Sequence, residues 1–167
     1  SVGGRPSFIV PVEDGNMLAG SGDGLFLING LCMGKRIATI PMSAHDRTND
    51  GTVDCHGRLW FGTMDDEERQ ASGAIYRFSG GRLKHMGCRA VVTNGPAVSR
   101  DGSRLYHVDS ANKRIWRHRL DDAGDLRESE PLIHVGDDEG HPDGIVLDRE
   151  GYLWVALWDG WGVQRYT

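Results

Sequence analysis

Residues 53–60 read VDCHGRLW: the apolar end of one strand, a polar turn closed by Gly57, and the apolar start of a second strand. Three further segments repeat this order of residue types, at 11–18 (PVEDGNML), 98–106 (VSRDGSRLY) and 147–154 (LDREGYLW). Successive turn glycines are 42, 45 and 49 residues apart along the chain. A repeat of this length is typical of one four-stranded blade of a β-propeller, so these segments predict that fold.

The remaining sequence also indicates an all-β fold. Short apolar runs alternate with turns rich in Gly, Asp, Asn and Ser, and no helical apolar stripe extends over three turns. We interpret the chain as one partial β-propeller domain of about three and three-quarter four-stranded blades, at residues 7–40, 49–89, 94–136 and, incomplete, 143–167. Because an open arc leaves sheet faces and strand edges uncovered, we expect either a piece of a longer chain or self-association that closes the ring.

Composition excludes several classes of partner. A net charge of −5 and a pI near 5.8 leave no basic surface for nucleic acid or for an anionic membrane. The longest apolar runs are too short to span a bilayer. Cys32, Cys55 and Cys88 form no CxxC pair, which disfavours a disulfide framework and favours a reducing, cytoplasmic location.

A constant offset connects three polar residues of the repeat. Asn49, Asn94 and Asp143 each lie eight residues before a turn glycine, although the repeats differ in length. Equivalent positions on the innermost strands of a propeller face one central channel, so the three side chains are expected to converge there. The first repeat has Ser7 at this offset, which is a weaker ligand.

Amide and carboxylate oxygens suit a hard cation such as Ca²⁺ or Mg²⁺. The pattern therefore predicts a shared metal site formed by Asn49, Asn94 and Asp143. A simpler interpretation stays open at this stage, because Asn-Gly and Asp-Gly are also ordinary turn dipeptides.

The same motifs resemble those of the regucalcin/gluconolactonase family, also called the senescence marker protein-like family. The matching segments are residues 47–51 (RTNDG) with 57–64, residues 93–95 (TNG) with 99–102 and 109–110, and residues 142–144 (PDG) with 147–158. They occur in order and at blade spacing over nearly the whole chain, as in the middle portion of such a propeller.

The resemblance implies a six-bladed propeller that hydrolyses sugar lactones or related esters with one divalent metal in its channel. It implies Asn49, Asn94 and Asp143 as metal ligands, with Ca²⁺ as the first choice and Zn²⁺, Mg²⁺ or Mn²⁺ as alternatives. The family's fourth ligand is a Glu in a Glu-Gly-Pro motif, which this sequence lacks. Glu13 precedes a turn glycine at the wrong offset to replace it.

Further roles follow from the same resemblance and from simple chemistry. Asp143 is the candidate general base toward water. Arg47 and Asn49 are expected to contact the substrate, although a surface salt bridge is the alternative role for Arg47. Asp50 and Asp109 are candidates to hydrogen-bond to the ligands, and a structural role is the favoured alternative for both. A non-catalytic propeller that binds calcium or another ligand is the alternative function.

Overall fold

The computed structural model describes residues 5–12, 15–29 and 32–167. Within these residues the chain forms fifteen β-strands in four antiparallel sheets. The same residues contain no α-helix, and hence none that could cross a membrane. The fold is therefore built entirely from strands and turns in the part of the chain that is described.

The strands divide among the sheets in chain order. The first sheet contains β1 (Pro6–Pro11), β2 (Met17–Ser21), β3 (Gly24–Asn29) and β4 (Cys32–Thr39). The second contains β5 (Asp46–Val53), β6 (Leu59–Asp65), β7 (Gly73–Ser79) and β8 (Arg82–Ala90). The third contains β9 (Thr93–Val98), β10 (Arg104–Asp109), β11 (Arg114–Leu120) and β12 (Leu126–His134). The fourth contains β13 (His141–Leu147), β14 (Leu153–Trp158) and β15 (Gly162–Tyr166).

Each sheet is an up-and-down meander in which consecutive strands pair. The first strand of each sheet also contacts the first strand of the next sheet: β1 contacts β5, β5 contacts β9, and β9 contacts β13. These four strands therefore line a common axis, as the inner strands of a propeller do. The predicted all-β propeller class is confirmed.

The repeated turn joins the first and second strands of a sheet. Gly57, Gly102 and Gly151 have φ values of 70°, 71° and 87°, which glycine adopts without a steric penalty. In the second sheet the Asp54 carboxylate accepts hydrogen bonds from the backbone N–H groups of residues 56 and 58, and Asp148 closes the fourth-sheet turn in the same way. The corresponding turn of the first sheet includes Glu13, which lies outside the described residues.

Apolar clusters lie between successive sheets. Phe8 and Phe61 belong to the cluster between the first and second sheets, and Trp60 and Leu105 to that between the second and third. Val155 belongs to the cluster between the third and fourth sheets. Since adjacent residues of β6 point into different clusters, the second sheet is covered on both faces, and this packing holds the inner strands in position.

Candidate metal centre

Interruptions of the strand pairing occur at matching places on three inner strands. The register shifts within residues 48–51 of β5, within 94–97 of β9 and within 142–145 of β13. In each case two residues of the inner strand lie opposite a single residue of the second strand, which is the arrangement of a β-bulge. A bulge redirects nearby side chains, so the repeated Asn-Asp-Gly, Asn-Gly-Pro and Asp-Gly segments present their polar groups along the channel.

The structure brings the two predicted asparagines into direct contact. The Asn49 side-chain amide donates to Asn94 Oδ1 at 2.7 Å and to the backbone carbonyl of Thr93 at 2.8 Å. The Asn94 amide in turn donates to Ser110 Oγ at 2.9 Å. Side chains 45 residues apart in sequence thus share one hydrogen-bonded chain across the second and third sheets.

Asp143 lines the same cavity as both asparagines. The cavity has a volume of about 510 Å³ and opens between the second, third and fourth sheets. Its lining also includes Arg47, Met64, Glu68, Val91, Val92, Ser110, Ala111, His141, Pro142 and Trp158. The three residues selected by the eight-residue offset therefore face one space large enough for a small sugar derivative.

Two half-buried acidic side chains lie close together at this site. Burial raises the pKa of Asp50 to about 6; the backbone N–H groups of Gly51 and Gly95 lower it, and the negative charge of Asp143 adds to the rise. Burial also raises the pKa of Asp143, against a hydrogen bond from Gly144. Among the ion pairs of the described residues, neither carboxylate has an arginine or lysine partner.

Arg47 lies beside a predicted site residue and also forms an ion pair. Its Nη1 donates to Asn49 Oδ1 at 2.9 Å, and the side chain lines the cavity. Its Nε also pairs with Asp66 Oδ1 at 2.6 Å. The ion pair thus orients the guanidinium toward the site.

Ser110 connects the third and fourth sheets, and the sequence offset does not identify it. Its hydroxyl accepts from Asn94 and donates to the Pro142 carbonyl at 2.6 Å. Its own carbonyl lies 3.1 Å from His141 Nδ1. Ser110 follows the second strand of its sheet rather than the first, so the repeat gives no signal for it.

Two other residues lie apart from this hydrogen-bonded chain. The Asp109 carboxylate accepts hydrogen bonds from the backbone and side chain of Asn112, which closes the turn between β10 and β11. The Ser7 hydroxyl donates to Thr48 Oγ1 at 2.8 Å and links β1 to β5. Their visible contacts are thus structural.

Comparison with known proteins identifies the family. The whole chain, residues 1–167, matches the family model described as the SMP-30/Gluconolactonase/LRE-like region. The chain belongs to this family. The resemblance that the motifs indicated is thereby confirmed.

Individual members of the SMP-30/gluconolactonase family agree with this assignment. A 6-deoxy-6-sulfogluconolactonase from Pseudomonas putida is 33% identical over 159 residues, or 93% of this chain and 55% of that protein. An L-arabinolactonase from Azospirillum brasilense is 33% identical over 135 residues, or 78% of this chain and 45% of that protein. The solved structure of a calcium-binding protein, regucalcin, from Agrobacterium tumefaciens matches with a TM-score of 0.91 and 30% identity over 100% of this chain and 58% of that one. The chain spans about half the length of these relatives.

The residues present fit the divalent cation expected for this family. Asn49, Asn94, Asp50 and Asp143 supply only oxygen donors, which is the chemistry that Ca²⁺ and Mg²⁺ prefer. Two half-buried carboxylates without a basic partner leave a negative charge that a cation would offset. Asn49 Oδ1 now accepts from Arg47 and Asn94 Oδ1 accepts from Asn49, so each oxygen would exchange its present hydrogen-bond donor for the cation.

Proposed function

We propose that this chain forms part of a metal-dependent hydrolase of sugar lactones or related esters, of the gluconolactonase type. The observation that carries the proposal is the convergence of Asn49, Asn94 and Asp143 on one cavity. The relatives named above as sugar lactonases support this substrate class.

The metal ligands in this proposal are Asn49, Asn94 and Asp143, and the bound ion is Ca²⁺, with Zn²⁺, Mg²⁺ and Mn²⁺ as alternatives. A divalent ion at this position would polarise the lactone carbonyl and stabilise the negative charge that develops on its oxygen. The glutamate ligand typical of the family has no counterpart among these residues, so further ligand oxygens must come from water, substrate or another segment.

The remaining steps use the side chains around the cavity. Asp143 accepts a proton from the attacking water, since its carboxylate faces the space where water and substrate meet. Arg47 and Asn49 hold the substrate, the former through a guanidinium suited to hydroxyl or carboxylate oxygens. Asp50 adds negative charge beside Asp143, which favours cation binding. Asp109 acts one step further away, by shaping the turn that precedes β11.

The proposal is tested by metal binding and turnover together. Calorimetry with Ca²⁺ and hydrolysis of D-glucono-1,5-lactone, each with and without chelator, are measured on the same preparations. We expect Asp143→Ala and Asn94→Ala to abolish chelator-sensitive hydrolysis, and Asp138→Ala, which alters an exposed loop carboxylate, to leave it unchanged. Unchanged rates in both site variants would overturn the assignment.

A non-catalytic propeller that binds calcium is the second candidate. It is favoured by the incomplete ligand set and by the solved relative described as a calcium-binding protein, regucalcin. Ca²⁺ binding that depends on Asn94 and Asp143 but is accompanied by no lactone hydrolysis would select this function instead.

We further propose that another sheet covers the open face of the fourth sheet, either in a longer chain or in a second copy. Val146, Trp154, Trp158 and Val163 lie on this face and are 60%, 40%, 71% and 61% exposed. An apolar surface of this kind is typical of an interaction site. Sedimentation of the 167-residue chain tests the second copy, because a concentration-independent monomer would exclude it.

A further inference from the structure

A second cluster of ligand-type side chains lies away from the channel cavity. Cys88 of β8, His107 of β10 and His118 of β11 place one sulfur and two nitrogen atoms within 4.8 Å of one another. His107 and His118 are 3% and 1% exposed, and Cys88 is half-buried. The cluster bridges the second and third sheets, because Cys88 comes from the former and both histidines come from the latter.

The distances within this cluster are close to those of a tetrahedral zinc site. His107 Nδ1 lies 2.7 Å from His118 Nε2, and Cys88 Sγ lies 3.9 Å from the same nitrogen. Zn–N bonds of about 2.0–2.1 Å and a Zn–S bond of about 2.3 Å place neighbouring ligand atoms roughly 3.3–3.6 Å apart. The distance between the two histidine nitrogens must therefore open by about 0.6 Å, and the distance from Cys88 Sγ to His118 Nε2 must shorten by about 0.3 Å, which side-chain rotation can supply.

The surroundings hold the ligand atoms in orientation. His118 Nδ1 lies 2.7 Å from Ser129 Oγ, a contact that leaves Nε2 directed toward the other two ligands. His107 stacks between Trp116 and His118. Cys88 itself has a φ of 66°, which is unfavourable for a residue with a side chain. Such strain at a ligand-type residue is characteristic of functional sites.

Burial keeps the imidazoles in the form that binds metal. It lowers the pKa of His107 to about 3, with a smaller contribution from His118, and lowers the pKa of His118 to about 4. It also raises the pKa of the Cys88 thiol to about 11. Both rings are therefore neutral near pH 7, whereas the thiol must lose its proton to become a ligand.

We propose that Cys88 Sγ, His107 Nδ1 and His118 Nε2 bind one Zn²⁺ ion that links the second and third sheets. On binding, the Cys88 thiol releases its proton to solvent, and each neutral imidazole keeps its one proton on the nitrogen that does not bind the ion, Nε2 of His107 and Nδ1 of His118. One proton is thus released for each ion bound, and no oxidant or reductant is needed. Thiolate and imidazole ligands favour Zn²⁺, whereas the oxygen ligands of the channel favour a hard cation such as Ca²⁺.

The experiment uses the full chain with the channel saturated by Ca²⁺. Zn²⁺ binding is measured by equilibrium dialysis, and Co²⁺ is used as a probe because a cobalt–thiolate bond gives a near-ultraviolet absorption band. We expect one tightly bound Zn²⁺ per wild-type chain and a Co²⁺ band, and we expect Cys88→Ser to lose both. Cys55→Ser is the matched control, because Cys55 is exposed and lies beside His56 rather than in the cluster. This control should retain the ion and the band.

A milder variant covers the case in which Cys88→Ser does not fold. Ser129→Ala removes only the partner of His118 and should weaken Zn²⁺ binding by about 10–100-fold. Thermal unfolding of the wild type should shift upward with added Zn²⁺, and the shift should be smaller in Ser129→Ala. The proposal is overturned if wild type binds no Zn²⁺, if Cys88→Ser binds it as tightly as wild type, or if Cys55→Ser alone removes it.

Discussion

The second and fourth sheets carry the same trio of side chains at equivalent positions, but only the second sheet buries them. Trp60 donates to Asp54 at 2.8 Å and pairs across the strands with Arg77. In the fourth sheet, Trp154 donates to Asp148 at 3.0 Å, and its cross-strand partner is Arg165.

Exposure separates the two trios. Trp60 is 0% exposed because the third sheet covers it, whereas Trp154 is 40% exposed on the open face of the fourth sheet. The hydrogen bonds within the turn therefore follow from the local sequence, while burial depends on a neighbouring sheet. The same hydrogen bonds should consequently contribute more to the free energy of unfolding in the second sheet, where they are buried, than in the fourth sheet.

Truncation of the two tryptophans gives the largest expected contrast. Trp60→Ala leaves a large cavity in a packed interface and should lower the free energy of unfolding by about 3–5 kcal/mol. Trp154→Ala should lower it by no more than about 1 kcal/mol, because its ring is partly in water already. Chemical denaturation of both variants measures the difference. Equal losses would show that an additional contact covers the face carrying Trp154.

Removal of the two aspartates should give a smaller contrast in the same direction. Asp54→Ala leaves Arg58 buried without its partner, at a side-chain exposure of 8%, and should destabilise the protein by about 3 kcal/mol. Asp148→Ala disrupts a pair with Arg165, whose side chain is 38% exposed and screened by solvent, and should destabilise the protein much less than Asp54→Ala does. Denaturation midpoints at pH 7 provide the test, and a larger loss for Asp148→Ala would contradict the role of burial.

The two faces of the fourth sheet allow a third comparison within one element. Val155 is 0% exposed toward the third sheet, and Val146 is 60% exposed on the other face. Val155→Thr places a hydroxyl in the apolar cluster and should cost about 1–3 kcal/mol. Val146→Thr should change stability by at most about 0.5 kcal/mol. A substantial cost for Val146→Thr would indicate that this face is covered in solution.

Acid should weaken both trios through their carboxylates. Burial alone would raise the pKa of Asp54, but hydrogen bonds from Trp60 and Arg58 outweigh it and hold the pKa below its usual value. Similar bonds from Trp154 and Arg165 outweigh burial and lower the pKa of Asp148 to about 2.

These lowered values specify the pH window of the effect. A carboxylate whose folded pKa is depressed stabilises the fold above its unfolded pKa of about 3.9, and that contribution is lost as pH falls toward the folded pKa. Stability should therefore decline between about pH 4 and pH 2. The decline should be shallower in Asp54→Asn and in Asp148→Asn, as followed by urea denaturation at several pH values. An unchanged slope in both variants would refute this assignment.

Much of the fold could be predicted from sequence because it depends on local rules. The turn glycines require left-handed backbone angles, and the strands require short apolar segments between them. Both features recur at blade spacing, so the repeat was visible without a structure. The convergence of Asn49, Asn94 and Asp143 could also be predicted. Residues at the same distance before the turn glycine occupy equivalent positions in their blades, and equivalent positions on the inner strands face one axis.

Ser110 of the channel site and the cluster of Cys88, His107 and His118 could not be predicted in this way. Ser110 follows a second strand, and its contact with the Pro142 carbonyl depends on how the third and fourth sheets approach each other. Cys88, His107 and His118 come from three different strands, and no common spacing connects them along the sequence. The sequence therefore gives no sign that their side chains meet in the folded protein.

The sequence by itself determined the repeat, the turns, the family and the three channel residues, because these depend on short-range backbone preferences repeated along the chain. The tertiary structure alone decided which residues a neighbouring sheet buries. It also decided that Arg47 donates a hydrogen bond to Asn49, and that one thiol and two imidazoles meet between two sheets. The physical reason is that burial and long-range contacts depend on the packing of one sheet against the next. A residue's local sequence carries no information about the neighbour that will cover it.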